Sequence, residues 1–234
     1  MTRHNKYKGF TLVEVLVAIT IFAIAVSTLF ASFNIVISNI DPINAGLDNH
    51  EMAQTIMDRI QKDLISLCLT HDPVYTPPGL EGFDDTDRFR FVSERVSLNG
   101  NTFSQLRFAS FEHLSFNSDQ KIRIGIIKYY VESSENGTII LKRSDIRSVF
   151  YNEIQKNNTR NDPLLCEMVK SFELMFIGQD GNTHEDWNSD SSNFGFSTPY
   201  SIIIKLVIGD HERSDVFSTT IVLPTYREKR ENES

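Results

Sequence analysis

The sequence predicts an α+β protein: one long N-terminal helix followed by a head of antiparallel strands. Three observations predict it. An apolar run extends from Phe10 to about Phe33, broken by a single charge, Glu14. From Leu47 to Cys68, apolar residues recur at three- and four-residue steps, the period of one helix face. Beyond a Pro- and Gly-rich stretch at 70–87 the pattern changes to period two, as half-buried strands require.

Composition sets the bounds. The chain has 234 residues, enough for one anchor and one domain with a core. A net charge of -8 argues against a protein built as a whole to grip nucleic acid. Hydrophobic residues make up 40% of the chain and Phe occurs 17 times, which is enough apolar surface to fold. The two cysteines, Cys68 and Cys166, fit neither a zinc knuckle nor a CxxC motif. Two buried thiols or one disulfide both remain open.

The first 9 residues form a basic leader with Arg3, Lys6 and Lys8 and no acid. Residues 10–40 are long and apolar enough for a membrane-crossing helix. Basic residues before the span, and Asp41, Asp48 and Glu51 after it, predict a cytoplasmic N-terminus and a head outside. The run is too long for the apolar region of a secretory signal peptide. A plain signal anchor has no use for Glu14, which is costly in hydrocarbon. A buried core helix leaves the basic leader unexplained.

Residues 41–72 predict an amphipathic helix. Asp41-Pro42 reads as a kink or restart, with Asp as cap and Pro at the first helical position. Ala53, Ile56, Met57, Ile60, Leu64, Leu67 and Cys68 form its apolar face. Asp58 with Lys62, and Arg59 with Asp63, supply i,i+4 pairs on the exposed side. Asp72-Pro73 sets the latest point at which the helix can end. Residues 73–224 are the β-rich head. Strands are expected around Phe89 and Phe91, over 103–108, 121–132 and 138–143, then over 169–177, 201–208 and 216–223. Residues 225–234 read as a charged, frayed tail.

One segment ties the leader to the anchor. Lys8-Gly9-Phe10-Thr11-Leu12-Val13-Glu14 resembles the processing site of type IV prepilins and type II secretion pseudopilins. The resemblance implies a pilin-like fold, cleavage between Gly9 and Phe10 by a prepilin peptidase, and N-methylation of Phe10. It also implies an assembly role for Glu14. Gly9 carries no Cβ, so a protease can approach the backbone there. After cleavage, Glu14 can meet the amine of a neighbouring subunit.

Later segments resemble minor pseudopilin J of type II secretion systems. They are Arg59-Ile-Gln-Lys-Asp63-Leu64; Tyr129-Tyr130-Val with Gly137 and Leu141-Lys-Arg143; and 169–176 with Gly181, Trp187 and Pro199. The stretch 71–95 departs from the family pattern. The resemblance implies a single-pass protein of the bacterial inner membrane with a periplasmic head, supporting protein secretion from the tip of the pseudopilus. It implies partners too: minor pseudopilins of the I and K types, the major pseudopilin, the inner-membrane assembly platform and the prepilin peptidase/N-methyltransferase. A minor pilin that primes type IV pilus assembly is the alternative.

No enzyme is expected. GxGxxG, P-loop, HExxH and GxSxG are absent from the sequence. His113, His184 and His211 fall in expected loops. No cofactor or metal is expected, although Asp84, Asp85 and Asp87, and Asp180, Asn182 and Asp186, form acid clusters. Asp180-Gly181 is explained by turn chemistry. Trp187, Phe194, Phe196 and Tyr200 are read as core ahead of interface. Arg88, Arg90 and Arg95 around Phe89 and Phe91 are the one candidate nucleic-acid stripe. Alternation makes an ordinary solvated strand the stronger reading, so no nucleic-acid partner is expected.

Overall fold

The computed structural model describes residues 11–78, 86–111, 124–147, 162–209 and 214–230, with side chains left aside at 33–48 and 147. The chain divides into two units, Met1–Asp48 and Asn49–Ser234. Helix α1 (Leu12–Ile65) begins in the first and ends in the second.

In the first unit α1 contains a 21-residue apolar span, Leu12–Ser32, with mean hydropathy 2.5. That length suits a bilayer core. Its hydroxyls are satisfied internally: Thr20 donates to the Leu16 carbonyl, Ser27 to Ala23 and Ser32 to Thr28. Polar groups that bond their own helix lose little on leaving water. Of the kink or restart expected at Asp41-Pro42, the restart does not occur, because α1 is helical through both residues. Proline fixes φ at a helical value, so its cost is a lost hydrogen bond and crowding with the preceding turn.

In the second unit Ala53, Ile56, Ile60 and Leu64 are almost fully buried, at steps of three and four. The helix stops at Ile65, seven residues short of 72. Leu67 and Cys68 continue the helical spacing, but they form strand β1 (Leu67–Cys68) instead. Their backbone groups pair with Ser110 and Ala109. The Ser66 carbonyl accepts from Phe111 N. Two apolar residues at the right interval fit either element, and the end of β3 left open beyond β2 decides.

The strands after it are β2 (Val92–Leu98), β3 (Asn101–Ser110), β4 (Gly125–Ser133), β5 (Ile139–Arg147), β6 (Leu164–Cys166), β7 (Val169–Ile177), β8 (Thr183–His184), β9 (Trp187–Asn188), β10 (Ser201–Gly209) and β11 (Ser214–Val222). They make two antiparallel sheets. The first runs β6-β5-β4-β3-β2-β9, with β1 beside β3, and the second runs β11-β10-β7-β8. The strand expected around Phe89 starts later. Residues 88–89 are a turn and β2 begins at Val92, although Phe91 is fully buried. The hairpin expected over 121–143 is β4 and β5, with 121–123 outside the described residues. The terminal hairpin is β10 and β11, paired from Ser201↔Val222 to Gly209↔Ser214. Its expected turn at Gly209-Asp210 continues into 210–213, which lie outside the described residues.

One core joins the helix to both sheets. An aromatic chain runs through it: Tyr129 against Phe108 at 6.4 Å, Phe108 against Phe91 at 6.1 Å, and Phe91 against Phe176 at 5.8 Å. At its start in this unit the helix meets β11, where Asn49 donates to Asp215 and His50 lies against Phe217. At its end Asp63 meets Tyr129 on β4 and Arg143 on β5.

Ile60 is 1% exposed on that face. Truncating a buried Ile to Ala costs about 2–5 kcal/mol. The purified chain carrying Ile60→Ala is therefore expected to melt at a clearly lower temperature by circular dichroism. An unchanged melting curve would place this face against something other than the sheets.

Candidate functional site

The first site sits at the start of α1. Thr11 N and Thr11 Oγ1 both donate to Glu14 Oε2, at 3.1 and 3.0 Å. In return Glu14 N donates to Thr11 Oγ1 at 3.3 Å. This is a capping box, in which a Thr cap and a Glu three residues on satisfy donors that the helix leaves open. The one carboxylate of the span is thus bound by its own helix end, and both bonds fall on the same oxygen. Gly9 and Phe10 lie outside the described residues.

The second site is a buried ion cluster that the sequence had hidden. Asp63 was expected on the exposed side with Arg59, but it is completely buried. The Arg59 pair does form, at 2.8 Å. Asp63 Oδ2 also accepts from Arg143 Nε at 2.7 Å and from the Tyr129 hydroxyl at 2.6 Å. Arg143 Nη2 reaches Oδ1 at 3.3 Å, and Nη1 pairs with Asp145 at 2.9 Å. Two acids face two guanidinium groups, so the cluster is neutral. Burial pushes the Tyr129 phenol up, and the Asp63 charge pushes it further. Burial alone would lower Arg143, yet its hydrogen bonds and charge contact with Asp63 hold it above the ordinary arginine value.

The third site overturns the expected frayed tail. Residues up to Arg230 are docked, and 231–234 lie outside the described residues. Arg227 is 4% exposed and lies over the Tyr75 ring, its Cζ 3.4 Å from the centroid. Its Nε donates to the Phe196 carbonyl at 2.6 Å. Its Nη1 donates to the Thr70 carbonyl and Asp87 Oδ2, and its Nη2 to the Ser189 carbonyl. Asp190 Oδ1 lies 3.5 Å from Nη2. Tyr75 and Asp87 N donate to Asp190, and Thr70 Oγ1 and Phe89 N donate to Asp87 Oδ1, so the two acids are held by more than the arginine. Arg230 adds contacts to Asp72 and to the Tyr75 carbonyl. A charged tail stays ordered where buried acids await its cations.

The other sequence candidates resolve individually. Cys68 and Cys166 are both free and buried, so the disulfide reading falls. They belong to different packing groups, Cys68 with Ala109 and Ile126, and Cys166 in the main core. Burial pushes the Cys166 thiol up to about 12 and raises Cys68 as well, which leaves neither a ready nucleophile. His184 packs edge-on to Trp187 and Phe194, while His113 and His211 lie outside the described residues. Trp187 is core: it is 3% exposed, stacks on Phe194 at 4.4 Å and donates to the Ser197 carbonyl. Tyr200 instead forms an exposed pair with Tyr226. Asp180 accepts from Asn182 N and Nδ2, an Asx turn. Asp84 and Asp85 lie outside the described residues, and Asp87 belongs to the tail clamp. Arg88, Arg90 and Arg95 do not share one face. Arg88 lies in the turn before Arg90, and Arg95 pairs with Glu185.

Residues 4–30 match the family described as the prokaryotic N-terminal methylation motif. No match to a curated protein was found. The motif and the apolar helix support a pilin-like, membrane-anchored protein of the kind that a prepilin peptidase processes and that assembles with other pilin-type subunits.

Removing one partner of a buried ion pair costs about 3–5 kcal/mol, because the other charge is stranded. Arg227→Ala strands Asp87 and Asp190, and a large fall in melting temperature is expected. Arg227→Lys is expected to recover little, since an ammonium has neither the planar fork nor the flat face for Tyr75. Limited proteolysis should then cut within 70–78 sooner than in the parent protein. Equal melting and equal cleavage would show that the tail is dispensable.

Proposed function

We propose that this chain is a minor pseudopilin of the J type, assembling at the tip of a type II secretion pseudopilus and catalysing nothing itself. What supports the reading is where the resembling residues fall. Arg59 and Asp63 at the helix end, and Tyr129 and Arg143 in the central hairpin, are scattered in sequence yet meet in one buried ion cluster. A resemblance carried by residues that do physical work together is stronger than one carried by scattered matches.

In this reading the leader directs the chain to the inner membrane with its head in the periplasm, and the peptidase cuts between Gly9 and Phe10. That cut leaves Thr11 in place, so the capping box survives it. Glu14 Oε2 serves the cap. Its other oxygen is then turned to a cation from outside the helix, the amine of an adjacent subunit. A K-type neighbour, which lacks its own Glu, has such an amine to satisfy. The I-type and major pseudopilins and the assembly platform complete the set of partners.

Gly9→Val adds a branched side chain where the protease needs backbone access. Intact mass measurement is expected to show the leader retained; a processed, methylated Phe10 would remove the peptidase assignment.

Glu14→Leu and Glu14→Gln separate two roles. Gln keeps the capping hydrogen bonds and loses the charge, whereas Leu loses both. Both variants are expected at normal membrane level and with the leader removed. Both should crosslink poorly to partner subunits and secrete poorly, because the neighbour's amine is left unpaired. Full function of the Gln variant would reduce Glu14 to a cap. Normal secretion but defective pili in a deletion strain would move the chain to the type IV pilus alternative.

A further inference from the structure

On one face of the first sheet, β2, β3 and β4 enclose an open cleft of about 170 Å³. Register places its walls. Val92 stands opposite Arg107, and Arg107 opposite Lys128, so three adjacent strands bring these side chains into one row. Glu94 and Gln105 form the next row. Arg90, two residues before Val92, closes the end. Three cations therefore face one carboxylate, on a chain whose net charge is -8.

The cations are held rather than dangling. Arg107 Nη2 donates to the Arg88 carbonyl at 2.9 Å. The Lys128 ammonium lies over the Tyr130 ring at 5.1 Å, and Tyr130 is itself tied to Asp162. Arg90 Nε is buried and has no hydrogen-bond acceptor among the described residues. Burial lowers the Lys128 pKa, and Arg107 lowers it further, while Glu94 and Asp162 act the other way. An anion entering between Arg90, Arg107 and Lys128 would supply an acceptor to the first and offset the desolvation of the last.

We propose that this cleft binds a single carboxylate presented by a partner protein, an Asp or Glu side chain or a chain terminus. Size favours it. Pockets that enclose free small ligands are commonly about 300–1,000 Å³, and this cleft is both smaller and open. A side chain delivered by a partner surface brings its own cover. Charge favours it as well. The net negative charge and Glu94 at the rim repel a polyanion, whereas one carboxylate can accept from Arg90 Nε and meet the charges of Arg107 and Lys128. The assignment holds whichever filament the chain serves.

The test uses the full chain in detergent micelles and two C-terminally amidated peptides carrying an uncharged BODIPY dye, Gly-Ser-Asp-Gly-Ser-Gly and its Asn counterpart. Fluorescence anisotropy is expected to show the acidic peptide binding at least about tenfold more tightly, and more weakly as salt rises. Arg90→Gln combined with Lys128→Met should abolish that preference at an unchanged melting temperature. Should that variant unfold, Glu94→Gln gives an independent reading: removing the competing carboxylate should tighten the acidic peptide several-fold. Equal binding of the two peptides overturns the proposal, as does an acidic preference that none of these substitutions changes. Tighter binding of inorganic phosphate or oligothymidylate than of the acidic peptide also overturns it, and would make the cleft a phosphate site.

Discussion

The head depends on one buried carboxylate. Asp63 has no exposure to solvent, and it sits where α1 ends against β4 and β5. A carboxylate taken from water is costly unless nearly all its lone pairs are used. Here two arginines and a phenol use them, and the Ser110 hydroxyl takes the Asp63 carbonyl. Such a cluster adds little net stability over a well-packed apolar one, but it sets position sharply. Sliding the helix by one turn, about 5.4 Å, would leave Asp63 opposite no donor and cost several kcal/mol. The apolar face of Ala53, Ile56, Ile60 and Leu64 supplies the driving force; the ion cluster selects the register.

Arg227 does the same work at the other end of the chain. A guanidinium has five N–H donors. The acceptors match them: the Phe196 carbonyl at Nε, the Thr70 carbonyl and Asp87 at Nη1, and the Ser189 carbonyl and Asp190 at Nη2. One side chain thereby joins the segment after the helix, the loop before β2 and the stretch between β9 and β10. These segments have little regular structure to order them. Their backbone carbonyls would otherwise need water, and the arginine replaces it while the Tyr75 ring covers its face.

Period and spacing made the scaffold legible. β7 and β10 fall where alternation put them, and the buried stripe of α1 follows its three-and-four spacing up to Leu64. What was not legible depended on partners distant in sequence. Arg59 and Asp63 look like any exposed i,i+4 pair until Arg143 arrives from 80 positions away. Arg227 looks like one more charge in a charged tail, since nothing local marks Asp87, 140 positions off, as its partner. Leu67 and Cys68 fitted a helix by interval and became a strand because β3 runs past its pairing with β2 and leaves Ala109 and Ser110 open on that side. Local chemistry reads well from sequence, whereas long-range pairing of charges does not.

Three residues break a local rule: a carboxylate in an apolar span, a carboxylate in a core and an arginine buried from a tail. Sequences that specify one fold are locally consistent, so each violation asks for compensation. Asp63 and Arg227 find theirs inside the head, each meeting several partners brought from distant parts of the sequence. Glu14 finds only part of its own. Thr11 engages one oxygen, and the helix dipole favours the negative charge at that end. Among the described residues, the other oxygen of Glu14 has no hydrogen-bond donor. The head's two ion networks thus draw their opposing charges from distant parts of one chain, whereas the anchor's carboxylate is met, among the described residues, by its own helix end alone.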